Sequence, residues 1–453
     1  MSRQIRLGAF LPANGHHVAA WRHPDVPADA GHDFAHYKRI AQAAERAKFD
    51  AVFLADNTAV IGGGERKEVL SRTAAAGFFE PLTLLSGLAA VTERIGLIAT
   101  VTTTYNEPYN VARKFASLDH LSGGRSGWNL VTSADPTEAS NFGVDAHAAH
   151  AVRYERAEEF IDVVSGLWDS WEDDALVNDK RGGRKFDPDK LHVLDHRGQY
   201  YAVRGPLNIA RSPQGHPVKV QAGSSEPGKA LAARTAEVVF TAQQTLEGAR
   251  EFYADLKQRL PAFGRHADDV RIMPGIFPVV GRTQAEAQAK YQALQDLIDP
   301  VVGLSLLAVL VGDVDLSGYP LDGPVPELPE TENWKSRQAL VLDAARRNGL
   351  TLRQLYLHIA GARGHWQIVG TPVQIADLLE EWFTTGAADG FNIMPPWLPG
   401  GLDDFIELVL PELRRRGLFR SEYEGRTLRE NLGLPYPRNR YHHHAPAGTE
   451  TGA

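Results

Sequence analysis

The sequence predicts an α/β fold of (β/α)8 type, a TIM barrel carrying insertion segments. Three observations point there. Eight short β-prone apolar runs alternate with helix-patterned stretches, which is the pattern of parallel βαβ units. The alternation keeps one register, strand then helix, over eight units; an open doubly wound sheet shares the alternation, but eight units in one register favour closure. Polar side chains collect just beyond several of the apolar runs, where barrels of this class keep their chemistry.

The elements follow in order. Residues 5–11 form the first strand, entered almost directly from the N-terminus. The stretch 34–48 is helical, since Phe34, Tyr37, Ile40, Ala41 and Ala44 share one face. Strand 51–55 leads to helix 82–91, and strand 95–101 to helix 110–121, with Pro108 suited to a first helical turn. A double glycine, Gly123-Gly124, turns the chain into strand 127–131, and helix 153–168 follows. Strands 218–221, 238–241 and 270–280 precede helices 228–236, 246–260 and 283–297. Helix 372–383 leads into the last strand, 390–393, and an amphipathic helix, 403–416, closes the pattern.

Three stretches break the regular unit: 57–80 with its GGG run, the charged and Gly-rich 171–217, and 299–367 with PLDGPVPELPE and a helical piece near 336–347. Loops of this length in a compact domain are functional covers or disordered segments. The third is expected to cover a substrate. The organisation expected is a single barrel domain over 1–433 with these insertions, then a flexible Pro- and His-rich tail over 434–453, where His442, His443 and His444 sit in solvent.

Composition removes several function classes. Hydrophobic residues make up 43% of 453, enough for a large core. The net charge of −8 comes without a basic stripe, so nucleic-acid binding has little support. The absence of cysteine excludes disulfides, thiolate metal sites and cysteine nucleophiles, and fits a reducing cytoplasm. No apolar stretch reaches the ~20 residues of a membrane span, and no signal-peptide pattern precedes the first strand. GxGxxG opening a helix after the first strand, GxxxxGK[ST], HExxH and a strand-ending HxH are all missing.

The informative string is SGGRSGWNLVTS, Ser122–Ser133, followed by Asn141-Phe142-Gly143 and then His150 and Tyr154. It reads as turn, buried strand, polar loop and helix. His150 and Tyr154, four residues apart, share a helix face. Asn129 is the odd residue of an apolar strand; its amide either orients a ligand or ties strands together. Ala222-Gly223-Ser224-Ser225-Glu226-Pro227 joins a strand to a helix, and its hydroxyls and amides suit an anion; serine as a plain helix cap is the alternative. Asp56, directly after AVFLA, either faces the mouth or caps a turn. Thr102 opens a Thr run that is also simply β-prone. His16 and His17 follow the first strand in NGHHVAAW, and Trp21, Trp366 and Trp397 flank strand ends.

Taken in this order, the pieces resemble the flavin-dependent monooxygenases of the bacterial-luciferase-like superfamily, in the branch of nitrilotriacetate and dibenzothiophene-sulfone monooxygenases. The likeness runs from LGAFLPANGHH through GTPVQIADLLEEWFTTGAADGFNIMP to the final helix. It implies FMN, used as FMNH2, and O2. A small organic substrate such as a sulfone or an aminopolycarboxylate would be oxygenated with C–S or C–N cleavage. It also implies a separate NAD(P)H-flavin reductase and a homodimer or homotetramer. By the same resemblance Asp56 and Thr102 lie against the flavin, His150 and Tyr154 hold its ribityl-phosphate, and Ser224 and Ser225 contact the phosphate. His17 would be a proton donor or substrate hydrogen-bonder. An acidic substrate would want Arg22, Arg72 or Arg363 near the site. A deazaflavin-dependent oxidoreductase of the same superfamily and a non-catalytic flavin-binding protein are the alternative readings.

Overall fold

Residues 3–60, 67–74, 76–312, 314–328, 335–362 and 364–442 are described by the computed structural model. Eight parallel strands close into a barrel: β1 (Arg6–Phe10), β2 (Ala51–Leu54), β3 (Gly96–Thr102), β4 (Ser126–Val131), β5 (Val218–Gln221), β6 (Val238–Thr241), β7 (Arg271–Val280) and β8 (Gly390–Ile393). Each pairs with the next, and β8 pairs back onto β1 through Arg6↔Gly390 to Ala9↔Ile393. These are the eight strands expected.

The helices α1 (Phe34–Arg46), α2 (Pro81–Ala89), α3 (Pro108–Ser122), α4 (His150–Trp168), α5 (Glu226–Thr235), α6 (Leu246–Arg259) and α7 (Gln284–Asp296) cover the outside. Their starts are written locally. Asp33 caps α1 by accepting from the amide of Ala35, and Glu80 caps α2 through the amides of Leu82 and Thr83. The double glycine ends α3 with both residues at positive φ, 68° and 89°, a conformation that side chains resist.

Alternation along the strands sorts side chains between two cores. Trp128 points outward, fully buried against Phe115, Phe160 and Trp168, with its indole N–H on the carbonyl of Val101. It is packing. Phe10, Ala51, Phe53, Ile98, Val218, Val220, Val238 and Met273 form a separate interior cluster. The last helix among the described residues, α12 (Leu428–Leu432), closes that cluster from the N-terminal end of the barrel. A Cβ at Gly96 would lie 2.4 Å from a methyl of Leu428, so strand β3 begins with a residue that makes room for the plug.

Three features differ from the sequence expectation. The stretch 299–367 is largely helical: α8 (Pro300–Leu310), α9 (Lys335–Asn348) and α10 (Leu352–Ala362) share a small core that includes Leu307, Leu355, Tyr356 and Ala19 of the loop after β1. PVVGLSLLAVL is apolar on all sides, so it carries no helical stripe to read. A ninth strand, Trp366–Gly370, pairs with the outer half of the long β7, and helix α11 (Pro372–Thr384) follows it. Residues 434–442, expected to be the start of a tail, pack against the barrel's flank. Asn439 donates to the carbonyls of Asp169 and Trp171, Arg440 reaches Asp169, and Tyr441 stacks on His192 at 4.2 Å. The Pro- and His-rich composition hid these contacts because they go to backbone and to one distant carboxylate. His443 and His444 lie outside the described residues. Among the described residues no single helix is long and apolar enough to cross a membrane; the apolar run through α7 and α8 is bent by 91°.

Candidate functional site

The C-terminal mouth of the barrel has an aromatic floor. Phe10, Phe53 and Phe240 come from three strands and meet inside, with ring centroids 4.8–5.7 Å apart. His16 stands edge-on to Phe10 at 4.4 Å, and His365 stacks on Phe240 at 5.0 Å. Gly275 on β7 admits this arrangement. A Cβ there would lie 2.5 Å from His365, 2.7 Å from Phe240 and 2.9 Å from the sulfur of Met394. Each of the three Phe residues sits at an inward position near a strand's end, so strict alternation within LGAFLP, AVFLA and VVFT could have identified them.

Polar groups rise above this floor along β2 to β5. Asn129 faces the interior and donates to the hydroxyl of Thr100 at 2.8 Å, which ties β4 to β3. Its carbonyl oxygen is buried with no hydrogen-bond partner among the described residues. Such an orphan costs ~1–3 kcal/mol unless a ligand or water meets it. Thr102 is also buried. Its hydroxyl accepts from the amide of Thr104 at 3.1 Å and from the hydroxyl of Ser133 at 2.9 Å, pinning the ends of β3 and β4 together.

Tyr154 and the turn after β5 meet. A Cβ on Gly223 would lie 3.4 Å from the Tyr154 hydroxyl and 3.0 Å from the Cα of Gly228. The close approach of α4 to this turn therefore depends on a bare α-carbon. His150 packs on Tyr154 with ring centroids 4.8 Å apart. Ser225 is the N-cap of α5, accepting from the amide of Gly228 at 3.3 Å, and Pro227 sits in the first turn. Ser224 is exposed beside it. Two hydroxyl groups, an imidazole, a phenol and a helix N-terminus thus converge on one corner, a setting that suits a phosphate.

Asp56 lies on another side of the mouth. Burial raises its pKa to about 6; the neighbouring carboxylates of Glu80 and Glu138 raise it further, and the amide of Asn57 opposes them. The loop behind it is fixed by Thr58, which donates its amide and hydroxyl to Glu138, and by Asn57, which donates to Asp135. Tyr105 joins the same rim. It stacks on Phe142 at 4.5 Å and donates to Nδ1 of His147 at 2.7 Å, while Nε2 of His147 donates to the carbonyl of Asp135. Sequence reading passed over Tyr105 and His147, because neither ends a strand nor forms a spaced pair.

His17 is fully enclosed and stands apart from these hydroxyls. Its Nδ1 accepts from the amide of Ala19 at 3.2 Å, so the proton resides on Nε2 and goes to Gln295 at 3.1 Å; Gln295 in turn donates to the carbonyl of Leu357. The geometry is that of a tie between the β1 loop, α7 and α10. Arg22 donates to the carbonyl of Leu297, and Arg72 pairs with Asp299 and Glu68. Both arginines are committed to joining loops. Arg363 lies outside the described residues. Trp366 stacks on Trp382 of α11 at 4.0 Å, and Trp397 on His23 at 4.7 Å.

Comparison with known proteins agrees over almost the whole chain. The model of the family described as luciferase-like monooxygenase matches residues 14–389. The chain is 55% identical to N-acetyl-S-(2-succino)cysteine monooxygenase of Bacillus subtilis (strain 168), over 97% of this chain and 98% of that protein. It is 51% identical to nitrilotriacetate monooxygenase component A of Aminobacter aminovorans, over 97% and 98%. Among solved structures it is similar to a riboflavin lyase crystallised with modified FMN and riboflavin. The TM-score is 0.85 at 37% identity, covering 96% of this chain and 97% of that one.

Proposed function

The chain belongs to the luciferase-like monooxygenase family and is a monooxygenase, and on that premise we propose that it is the oxygenase component of a two-component system, binding FMN as FMNH2 at the mouth of its barrel. A separate NAD(P)H-flavin reductase supplies the reduced cofactor. The working unit is one barrel domain, 1–433, in a homodimer or homotetramer. A relative named "component A" supports the division of labour, and a similar structure crystallised with modified FMN supports the cofactor. The observation that carries the reading is the meeting of the Tyr154 hydroxyl with the Gly223–Ser225 turn.

The residues fit the cofactor. The orphaned carbonyl of Asn129 offers an acceptor to a ring N–H. The corner of His150, Tyr154, Ser224 and Ser225 offers donors to a ribityl-phosphate, and Thr102 and Asp56 lie on the other side of β4, at the ends of β3 and β2. When bound, reduced flavin supplies the electrons that activate O2. The protein's own contribution is enclosure and positioning. The Phe10–Phe53–Phe240 floor keeps water out from below, and the helices of 299–367, anchored on the β1 loop, cover from above.

The substrate is a small organic molecule, and oxygenation next to sulfur or nitrogen breaks a C–S or C–N bond. An S-substituted cysteine in the name of a relative at 55% identity favours sulfur. A non-catalytic flavin carrier does not fit a chain that is 55% and 51% identical to two monooxygenases over 97% of its length.

The test is direct. FMNH2 from an added reductase is supplied in air with a panel of thioethers, sulfones and aminopolycarboxylates. Substrate-dependent product formation that stops when the reductase is omitted is the expected result. If neither FMN nor FMNH2 binds, or a deazaflavin alone supports turnover, the reading fails.

A further inference from the structure

At the opposite, N-terminal end of the barrel lies a cavity of about 570 Å³ lined by Arg3, Arg6 and Arg271, by Asp268, Asp389 and Glu424, and by Gly433. Two of its guanidinium groups converge. A Cβ on Gly433 would lie 3.2 Å from Nη2 of Arg271 and 3.3 Å from Nη2 of Arg6. Both cations therefore face the same space, which the bare α-carbon of Gly433 leaves open.

The two differ in how they are held. Arg271 is fixed by the carbonyls of Leu432 and Gly433 and by Asp268. The guanidinium of Arg6 has neither a hydrogen bond nor an ion pair among the described residues. Two of the carboxylates nearby are occupied elsewhere, while Glu424, on the same lining, attracts Arg6 without a direct ion pair. Asp389 is taken by Arg3, Lys257 and the amide of Ile272, and Asp50 by Arg420 and the amide of Leu7. Burial lowers the pKa of Arg6, with Arg420 and Arg271 adding repulsion against the pull of Asp50 and Glu424. Arg6 is half-buried, and bringing two like charges together in a partly buried cavity is unfavourable, which an anion between them relieves. Guanidinium forks match the oxygens of a tetrahedral oxyanion in pairs.

We propose that this cavity is a binding site for a phosphate-type oxyanion, held between Arg6 and Arg271 over Gly433, remote from the mouth and separate from any cofactor phosphate. Its occupant is inorganic phosphate or the phosphate end of a small metabolite. Bound there, it links β1, β7 and the segment after α12, so it stabilises the closed end of the barrel.

The experiment titrates inorganic phosphate, and in parallel methyl phosphate, into the full-length protein saturated with FMN. Calorimetry is run in phosphate-free buffer at constant ionic strength. Saturable binding with Kd below about 10 mM is expected for at least one of the two, weakened roughly tenfold or more by Arg6→Gln and unchanged by Ser225→Ala. Preference for methyl phosphate assigns the site to a metabolite, and preference for the inorganic ion to free phosphate. Binding of neither, or equal affinity in Arg6→Gln, overturns the site. Should that variant not fold, phenylglyoxal labelling of the native protein, read by peptide mass spectrometry, decides. Phosphate slowing the modification of Arg6 severalfold supports the site, and an unchanged rate overturns it.

Discussion

The two ends of the barrel solve opposite problems with similar side chains. At the N-terminal end polar groups are buried and mostly paired, although Nε and Nη1 of Arg420 and Nδ2 of Asn431 have no hydrogen-bond partner among the described residues. Arg125 makes five hydrogen bonds to the carbonyls of Ala89, Thr92, Ile95 and Ser122 and to the Thr92 hydroxyl. Asp50 meets Arg420 at 2.7 Å, Arg429 meets Glu237, and Leu428 plugs the centre. At the mouth the hydroxyls of Thr102, Ser224 and Ser225 are half committed or exposed, and the Asn129 oxygen is unmatched. Paired groups hold the closed end, and the mouth keeps free groups for a ligand. At the closed end Arg6 stands beside a second guanidinium without an ion pair among the described residues, and that juxtaposition points to a ligand there.

If the closed end is built for stability, breaking it should cost folding and leave binding alone. Asp50→Ala strands the Arg420 guanidinium, which is 2% exposed. Loss of one partner of such a pair costs about 3–5 kcal/mol. The expected outcome in denaturant titration is a large fall in the midpoint, while the fraction that remains folded binds FMN with unchanged affinity. Leu428→Ala should cost about 2–5 kcal/mol for the cavity it opens beneath the barrel. A matching loss of FMN affinity in either variant would join the two ends into one cooperative unit and dissolve the contrast.

The ends should also respond oppositely to acid. Near the closed end, burial lowers the pKa of His216 to about 4 despite its bond to Asp169 at 2.7 Å. The unfolded chain takes up that proton near 6.5 and the folded one near 4. Between those values the native state binds fewer protons, so stability falls as pH drops, by on the order of 2 kcal/mol. Asp169, held well below the usual carboxylate range, adds its own loss only below about 4. Asp56 at the mouth has the reverse sign. With its pKa raised to about 6, its contribution is greatest in acid and is lost as pH rises from about 4 through 6. Denaturation midpoints taken from pH 7 to 4.5 should decline for the native protein and flatten in His216→Gln. An unchanged slope in that variant would place the acid sensitivity elsewhere.

The fold was legible because the barrel repeats itself. Eight βα units print the same period eight times, and their caps (Asp33, Glu80, Ser225) are local signals. Within 299–367 the helical piece near 336–347 was legible and is α9, whereas α8 was not, because it has no polar face against which to see a stripe. Nor was the docking of 434–442, whose partners stand more than two hundred residues away. At the candidate site chemistry and spacing coincide in His150, Tyr154, Ser224 and Ser225, and the approach of the Tyr154 hydroxyl to Gly223 brings α4 beside the turn that carries the two serines, a closeness no spacing shows. His17 shows the limit. Position after the first strand suggested chemistry, whereas its two nitrogens are engaged by Ala19 and Gln295, contacts that depend on a helix almost three hundred residues on.

The smallest expected effects test the mouth most sharply. Tyr154→Phe removes one hydroxyl and leaves the ring against His150; Ser225→Ala removes one hydroxyl and the cap of α5. Each should weaken FMN binding by about 1 kcal/mol or more, as for a lost hydrogen bond to a charged group. Only Ser225→Ala should also lower stability, by about 1 kcal/mol, through the cap. Fluorescence titration of FMN beside thermal denaturation separates the two losses. Because both hydroxyls would meet the same phosphate, their effects should not simply add. A double variant that binds FMN as the native protein does would remove this corner from the cofactor site and leave the Asn129 oxygen as the mouth's remaining claim on the flavin.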